Sequence, residues 1–129
     1  MKYLLDTHIL LWYFEGNTRL NPRWREEIAS PENEVYISVV SPWEMSIKAK
    51  DKKLRLKLPF EAYFKNLEYL MLNITFAHVL FLRQLPKFHK DPFDRMLIAQ
   101  AKVEECVLIT SDSKIRSYNI PILDEKFKR

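Results

Sequence analysis

Lys2-Tyr3-Leu4-Leu5-Asp6-Thr7-His8-Ile9-Leu10-Leu11-Trp12-Tyr13-Phe14 sets a short apolar run, then an acid, then a longer apolar run. Residues 2–5 read as a strand and residues 7–14 as a helix, with Asp6 at the junction. Working outward, the same alternation recurs. Asn21-Pro22 supplies an N-cap and a proline at the first position of a helix running to about Ala29. Residues 35–38 predict a second strand, and Ser41-Pro42-Trp43-Glu44 opens another helix with the Ser-x-x-Glu capping-box pattern. Leu54, Leu56 and Leu58 alternate with Arg55 and Lys57 in an extended pattern of period two. A helix is expected over 60–70, a third strand over 72–75 and a helix over 77–85. Asp91-Pro92 caps the strongest helix, 92–105, which is apolar on most faces and should be largely buried. Residues 107–110 and 120–123 supply the last strands. Strands alternating with helices imply an α/β sandwich, a mostly parallel central sheet flanked by helices.

A chain of 129 residues fits a single domain over 1–129, large enough to need no disulfide or structural-metal staple. Its one cysteine, Cys106, has no internal partner, and the charged Lys2 and Asp6 bracket too few apolar residues for a signal peptide. No apolar run approaches the roughly 18 residues of a membrane span. The class that remains is a globular domain of a reducing compartment, hence an expected cytoplasmic location without membrane partners. Gly16 stands alone, which excludes Gly-rich phosphate loops.

In open parallel sheets, ligands bind beyond the carboxyl ends of the strands. Four acids fall where such a sheet could gather them. Asp6 follows the first strand, Asp112 follows the 107–110 strand, and Glu44 and Asp94 each sit just after a proline in a helix's first turn. Each also has a structural reading. Glu44 completes the capping box with Ser41, Asp94 complements the helix dipole, and Asp112 caps a turn over 113–117. Asp6 must lie close to the core. Taken together, four converging carboxylates would repel unless a cation neutralised them. Oxygen-only donors suit Mg²⁺, with Mn²⁺ possible. Zinc is disfavoured, because Cys106 is isolated and His8, His78 and His89 show no ligand spacing.

Four stretches carry a resemblance. Leu4-Leu5-Asp6-Thr7-His8-Ile9-Leu10-Leu11-Trp12 looks like the opening of PIN-domain nucleases, closest to the VapC-type toxins of toxin–antitoxin pairs. Ser38-Val39-Val40-Ser41-Pro42-Trp43-Glu44 is similar to the family's second-acid segment. His89-Lys90-Asp91-Pro92-Phe93-Asp94-Arg95-Met96-Leu97-Ile98-Ala99-Gln100-Ala101 resembles its most distinctive stretch, and Thr110-Ser111-Asp112 fits the position of its last acid. The resemblance implies a PIN-like three-layer sandwich and metal-dependent hydrolysis of RNA phosphodiester bonds. It implies Asp6, Glu44 and Asp94 as core metal-binding and catalytic acids, with Asp112 completing the site. Asp91, in the same motif, reads as a structural N-cap. The implied partners are an RNA substrate, a cognate antitoxin protein and a second copy in a homodimer. Two alternatives stay open: a PIN-fold RNA-processing nuclease without a toxin role, and a non-catalytic RNA- or protein-binding module. A haloacid-dehalogenase-like phosphatase would want an acid where His8 stands, and the acids of a receiver domain are not visible.

Other residues flank these. Thr7, Ser38, Ser41, Thr110 and Ser111 could orient the acids or cap backbone. His8 and His89 could touch RNA or be structural, and Arg95 could contact a phosphate, lie near a partner or form a surface salt bridge. Trp12, Tyr13, Phe14 and Trp43 read as core or interface packing. Lys48, Lys50, Lys52, Lys53, Arg55 and Lys57 place six basic residues in ten positions, either a solvated face or a phosphate-contacting rim. Setting the four candidate acids aside leaves 13 of the 17 acids against 21 Lys and Arg, a balance that suits a polyanion.

Overall fold

The first strand is the centre of the sheet. In the computed structural model, which describes residues 1–65, 69–118 and 120–123, five strands and five α-helices follow in the order β1 (Lys2–Leu5), α1 (Thr7–Glu15), α2 (Pro22–Ala29), β2 (Glu34–Ser38), α3 (Val40–Lys50), β3 (Leu70–Leu72), α4 (Phe76–Leu82), α5 (Pro92–Val103), β4 (Val107–Ile109) and β5 (Ile122–Leu123). The sheet order is β3-β2-β1-β4-β5, and every pairing is parallel. Chain order therefore reverses beside β1, the point at which open α/β sheets bind ligands.

Both sheet faces are covered, and the period-two alternation of each strand decides which side chain goes where. Tyr3, Leu5, Val35, Ile37, Val107, Ile109 and Leu123 pack with Ile9 and Leu10 of α1 and Trp24 and Ile28 of α2. Leu4 and Leu108 pack the other way, against Met96, Leu97, Ile98, Ala99 and Ala101 of α5. The largely buried helix expected over 92–105 is thus α5, ending at Val103 because Glu105 adopts a left-handed backbone (φ 56°). Leu97 and Ile98 are fully buried, worth roughly 1.5–3 kcal/mol each. The chain's one glycine, Gly16, ends α1 at φ 64°, a conformation other residues adopt with strain.

Three expectations are corrected. The helix expected over 60–70 is a 3-10 turn at Phe60–Phe64, residues 66–68 lie outside the described residues, and Leu70 already belongs to a strand. The third strand is Leu70–Leu72 rather than 72–75, because pairing with Tyr36, Ile37 and Ser38 of β2 sets its register. Thr75 instead caps α4, in a reciprocal box with His78. Leu54, Leu56 and Leu58 do lean on the α1 side of the core, but as an irregular segment. Among the described residues, no helix is long and apolar enough to cross a membrane.

Candidate active site

Asp6 is held at the reversal point by its backbone and its side chain. Its amide donates to the Ile109 carbonyl (3.1 Å) and its carboxylate accepts from the Ile9 amide (2.8 Å), capping α1. The side chain is 4% exposed. Burial pushes its carboxyl up to about 6, with the Glu44 charge adding, while the Thr110 hydroxyl, the Ile9 amide and His8 oppose the rise.

Glu44 comes from α3 and is 2% exposed. The expected Ser41–Glu44 capping box does not form: α3 starts at Val40, two residues before the expected first position at Pro42, with no side-chain cap. Both side chains turn inward to α1 instead. Thr7 Oγ1 donates to Glu44 Oε1 (2.6 Å) and lies 3.0 Å from Ser41 Oγ. A threonine has one proton to give, so Ser41 is the donor to Thr7. The other Glu44 oxygen, Oε2, accepts from Lys48 Nζ.

Asp91 caps α5 as the sequence suggests, Oδ1 accepting from the amides of Phe93 (2.8 Å) and Asp94 (3.2 Å). Its Oδ2 takes Lys48 Nζ at 2.9 Å. Burial acts upward on Asp91, but the Lys48 hydrogen bond and those amides outweigh it and hold the carboxyl below its ordinary value. Burial likewise acts downward on Lys48, and Glu44 and Asp91 outweigh it, so the ammonium lies above its ordinary value. Asp94, one turn into α5, has no such help. Burial and the charges of Asp91, Glu44 and Asp6 push its carboxyl up to about 7, opposed by His89.

Asp112 is tied to its own turn by the Lys114 amide on Oδ1 (2.8 Å) and joins the others through His89. His89 Nδ1 accepts from the Asp91 amide (3.3 Å), so Nε2 carries the proton and faces Asp94 Oδ2 (2.9 Å) and Asp112 Oδ2 (3.0 Å). Glu44, Asp91 and Asp94 bring carboxylate oxygens within 4.8 Å of one another, and His89, Asp94 and Asp112 form a second such group. The donors are mostly hard oxygens at a point of concentrated negative charge, and they fit a divalent cation.

Glu44 and Asp94 therefore meet in one group and Asp94 and Asp112 in the other, while Asp6 belongs to neither group and acts on Asp94 and Glu44 through its charge. Sequence reasoning missed two members. Lys48 had a readable signal, four residues after Glu44 on a helix, but it stood among other lysines. His89 had none, since no ligand spacing marks it. Ser38 serves the core, donating to Gln100 Oε1 (2.6 Å), and Thr110 hydrogen-bonds Asp6 and accepts from the Asp112 amide. Among the described residues Arg95 makes no salt bridge: its guanidinium donates to the carbonyls of Pro86 (3.0 Å), Leu85 (3.4 Å) and His89 (3.4 Å) and to the Tyr118 hydroxyl (3.4 Å). Trp12, Tyr13 and Phe14 pack on the core as expected, whereas Trp43 is 51% exposed and stands edge-on to Phe93 at 4.7 Å. Lys50, Lys52, Lys53, Arg55 and Lys57 are all exposed.

The sequence profile of the PIN domain matches residues 3–121. Ribonuclease VapC22 of Mycobacterium tuberculosis is 27% identical over 121 residues, spanning 92% of each chain. Among solved structures, VapBC2 from Rickettsia felis bound to a DNA fragment from their promoter superposes with a TM-score of 0.72 at 16% identity, over 96% of this chain and 98% of that one. VapBC-1 from nontypeable Haemophilus influenzae gives a TM-score of 0.65 at 17% identity, over 96% and 98%. A toxin–antitoxin complex from Klebsiella pneumoniae gives 0.62 at 20% identity, over 95% and 96%.

Proposed function

The chain belongs to the PIN-domain family, and from that premise we propose that it is a metal-dependent endoribonuclease, the toxin of a toxin–antitoxin pair. The observation that carries this reading is the meeting at Asp94 of two groups of ligand atoms, one with Glu44 and Asp91 and one with His89 and Asp112, each within 4.8 Å, at the end of the sheet where Asp6 also emerges. Asp6, Glu44, Asp94 and Asp112 are the acids we assign to a divalent ion, Mg²⁺ or Mn²⁺. Such an ion supplies Lewis-acid polarisation of the phosphate and acidification of the attacking water.

The chain's own residues do the rest. Thr7 and Ser41 fix one oxygen of Glu44, so its carboxylate enters the site in a single orientation. His89 holds Asp94 and Asp112 at a common distance from its Nε2. The buried setting of Asp6 and the half-buried one of Asp94 strengthen their hold on a cation once they are ionised. In this reading the water oxygen bonds to phosphorus as the P–O bond to the leaving oxygen breaks, the water's proton passing to solvent and the leaving oxygen taking one from solvent, with no covalent enzyme intermediate. The exposed lysines and arginine of 50–57 lie on the same stretch of chain as α3 and suit the RNA backbone.

VapC22's name as a ribonuclease and the toxin–antitoxin complexes among the structural relatives support the activity and an antitoxin partner. We also assign a homodimer, to which the exposed apolar side chains of β3 and α4 (Leu70, Met71, Phe76, Val79 and Leu80) would contribute. The functional unit is the single domain 1–129, acting in the cytoplasm. The test is cleavage of a tRNA and rRNA panel by wild type, Asp6→Asn and Asp94→Asn. Each variant should lose activity by about 100-fold or more, since even a ligand's outer partners are worth 10–100-fold. Both should keep the wild-type circular dichroism spectrum. Induced wild type should arrest bacterial growth and Asp6→Asn should not. Near-normal cleavage by both variants sinks the assignment, and harmless accumulation of an active wild type turns the reading to an RNA-processing nuclease.

A further inference from the structure

The acids of the site fall into two overlapping groups that share Asp94, one with Glu44 and Asp91 and one with His89 and Asp112. Two adjoining groups of this kind are the arrangement in which two divalent ions clamp a phosphate. The first group already contains a cation. Lys48 Nζ sits on Glu44 Oε2 and 2.9 Å from Asp91 Oδ2, and lies 5.4 Å from the centre of the Phe93 ring. Its place is fixed from several sides: the spacing of one helical turn from Glu44, the ring of Phe93 beneath it, and a side chain only 23% exposed.

The remaining oxygens of those two acids are also spoken for. Thr7 holds Glu44 Oε1, and the Phe93 and Asp94 amides hold Asp91 Oδ1. Glu44 and Asp91 thus offer the space between them only the oxygens that Lys48 grips. The second group differs. Among the described residues, neither lysine nor arginine forms an ion pair with Asp6, Asp94 or Asp112, and the one group bridging Asp94 to Asp112 is an imidazole. The charge deficit is therefore concentrated on one side.

We propose that Lys48 is the resident second cation of the site, holding the Glu44–Asp91 half so that one divalent ion binds per chain, on the side of Asp94. The proposal rests on the nuclease reading and specifies its metal stoichiometry. An ammonium suits the task because it is a compact point charge with three donors, enough for two carboxylates and one further acceptor. Glu44 then serves both charges, as Lys48's direct partner and as a neighbouring carboxylate to the ion. An incoming phosphate meets one exchangeable cation and one that cannot dissociate. Lys48 is a positioning residue here, acting through the carboxylates.

The experiment counts Mn²⁺ bound to the RNA-free protein, by electron paramagnetic resonance of the free ion and by native mass spectrometry. Wild type should bind one ion and Lys48→Arg one. Lys48→Met should bind two, because the vacated Glu44–Asp91 half accepts a second. Asp94→Asn should lose the strong site. Two ions on wild type, or one on Lys48→Met while Asp94→Asn binds none, overturns the role given to Lys48. Undiminished binding by Asp94→Asn would instead overturn the nuclease site itself. If Lys48→Met fails to fold alone, it should fold in millimolar Mn²⁺, with Lys48→Gln as the second variant. Failure of both to fold with Mn²⁺ present also counts against the proposal, since a divalent ion should replace the lost ammonium.

Discussion

Asp94 and Asp6 make the free protein's stability depend on pH in an unusual direction. Their carboxyls titrate at about 7 and about 6 in the folded chain, against 3.8 for an unperturbed aspartate, with burial the leading cause for both. Between about pH 4 and pH 7 the folded protein keeps protons that the unfolded chain has released. Stability without metal must then fall as pH rises through that window. In EDTA, the thermal midpoint should be higher at pH 5 than at pH 8. Asp94→Asn should raise the pH 8 midpoint and flatten the slope, which differential scanning calorimetry reads directly. Divalent-ion affinity should run the other way, rising through pH 6–7 as the ion stops competing with protons. A midpoint that climbs from pH 5 to pH 8 in EDTA would contradict the arrangement of these two acids.

At the scale of elements, the segment between α4 and α5 has little regular structure of its own, yet it carries His89 to the site. Arg95 on α5 holds it, reaching the carbonyls of Leu85, Pro86 and His89, while the Tyr118 hydroxyl receives the His89 amide and donates to Pro86. A lysine cannot reproduce that fork. Arg95→Lys should cost roughly 1 kcal/mol for the Leu85 and His89 carbonyls, since Pro86 keeps the Tyr118 hydroxyl, or about 4 °C in thermal midpoint at this chain length. It should also weaken metal binding, because the imbalance travels to His89. A calorimetric midpoint within 1 °C or so of wild type would show that the segment holds itself. The same elements explain what was legible. The β1–Asp6–α1 unit and α5 could be read because strand alternation and helix apolarity act locally, and Asp91 because a cap needs only its own helix. The Ser41–Glu44 box was misread because Thr7, 34 residues earlier than Ser41, offered both side chains a better partner. β3 was displaced because its register belongs to β2. His89 gave no signal because the acids it joins, Asp94 and Asp112, meet only after folding.

Across the whole molecule, the charge is divided between an acidic notch and a basic exterior. With Lys48 turned inward, Lys50, Lys52, Lys53, Arg55 and Lys57 remain exposed beyond α3. If they track an RNA backbone, Lys50→Gln, Lys52→Gln and Lys53→Gln together should weaken binding of all sequences alike. The slope of log affinity against log salt should become shallower by about 2, at roughly 0.7 per lost contact with a single strand. Cleavage-site choice should survive, because phosphate contacts position a strand without reading its bases. An unchanged slope would mark these residues as an ordinary solvated face.

The sheet's order also has a history in time. Leu4 pairs on one side with Tyr36 and on the other with Leu108. A ribosome therefore releases β1 well before β4, one of its two neighbours, with five α-helices and two strands made in between. Until residues 107–109 emerge, β1 has an open flank, the Asp6 amide lacks the Ile109 carbonyl, and the last acid has not been made. A nascent chain that cuts RNA would endanger the message it is being read from. In a chain that acts as we propose, this topology withholds the assembled acids until residues 107–112 have been made.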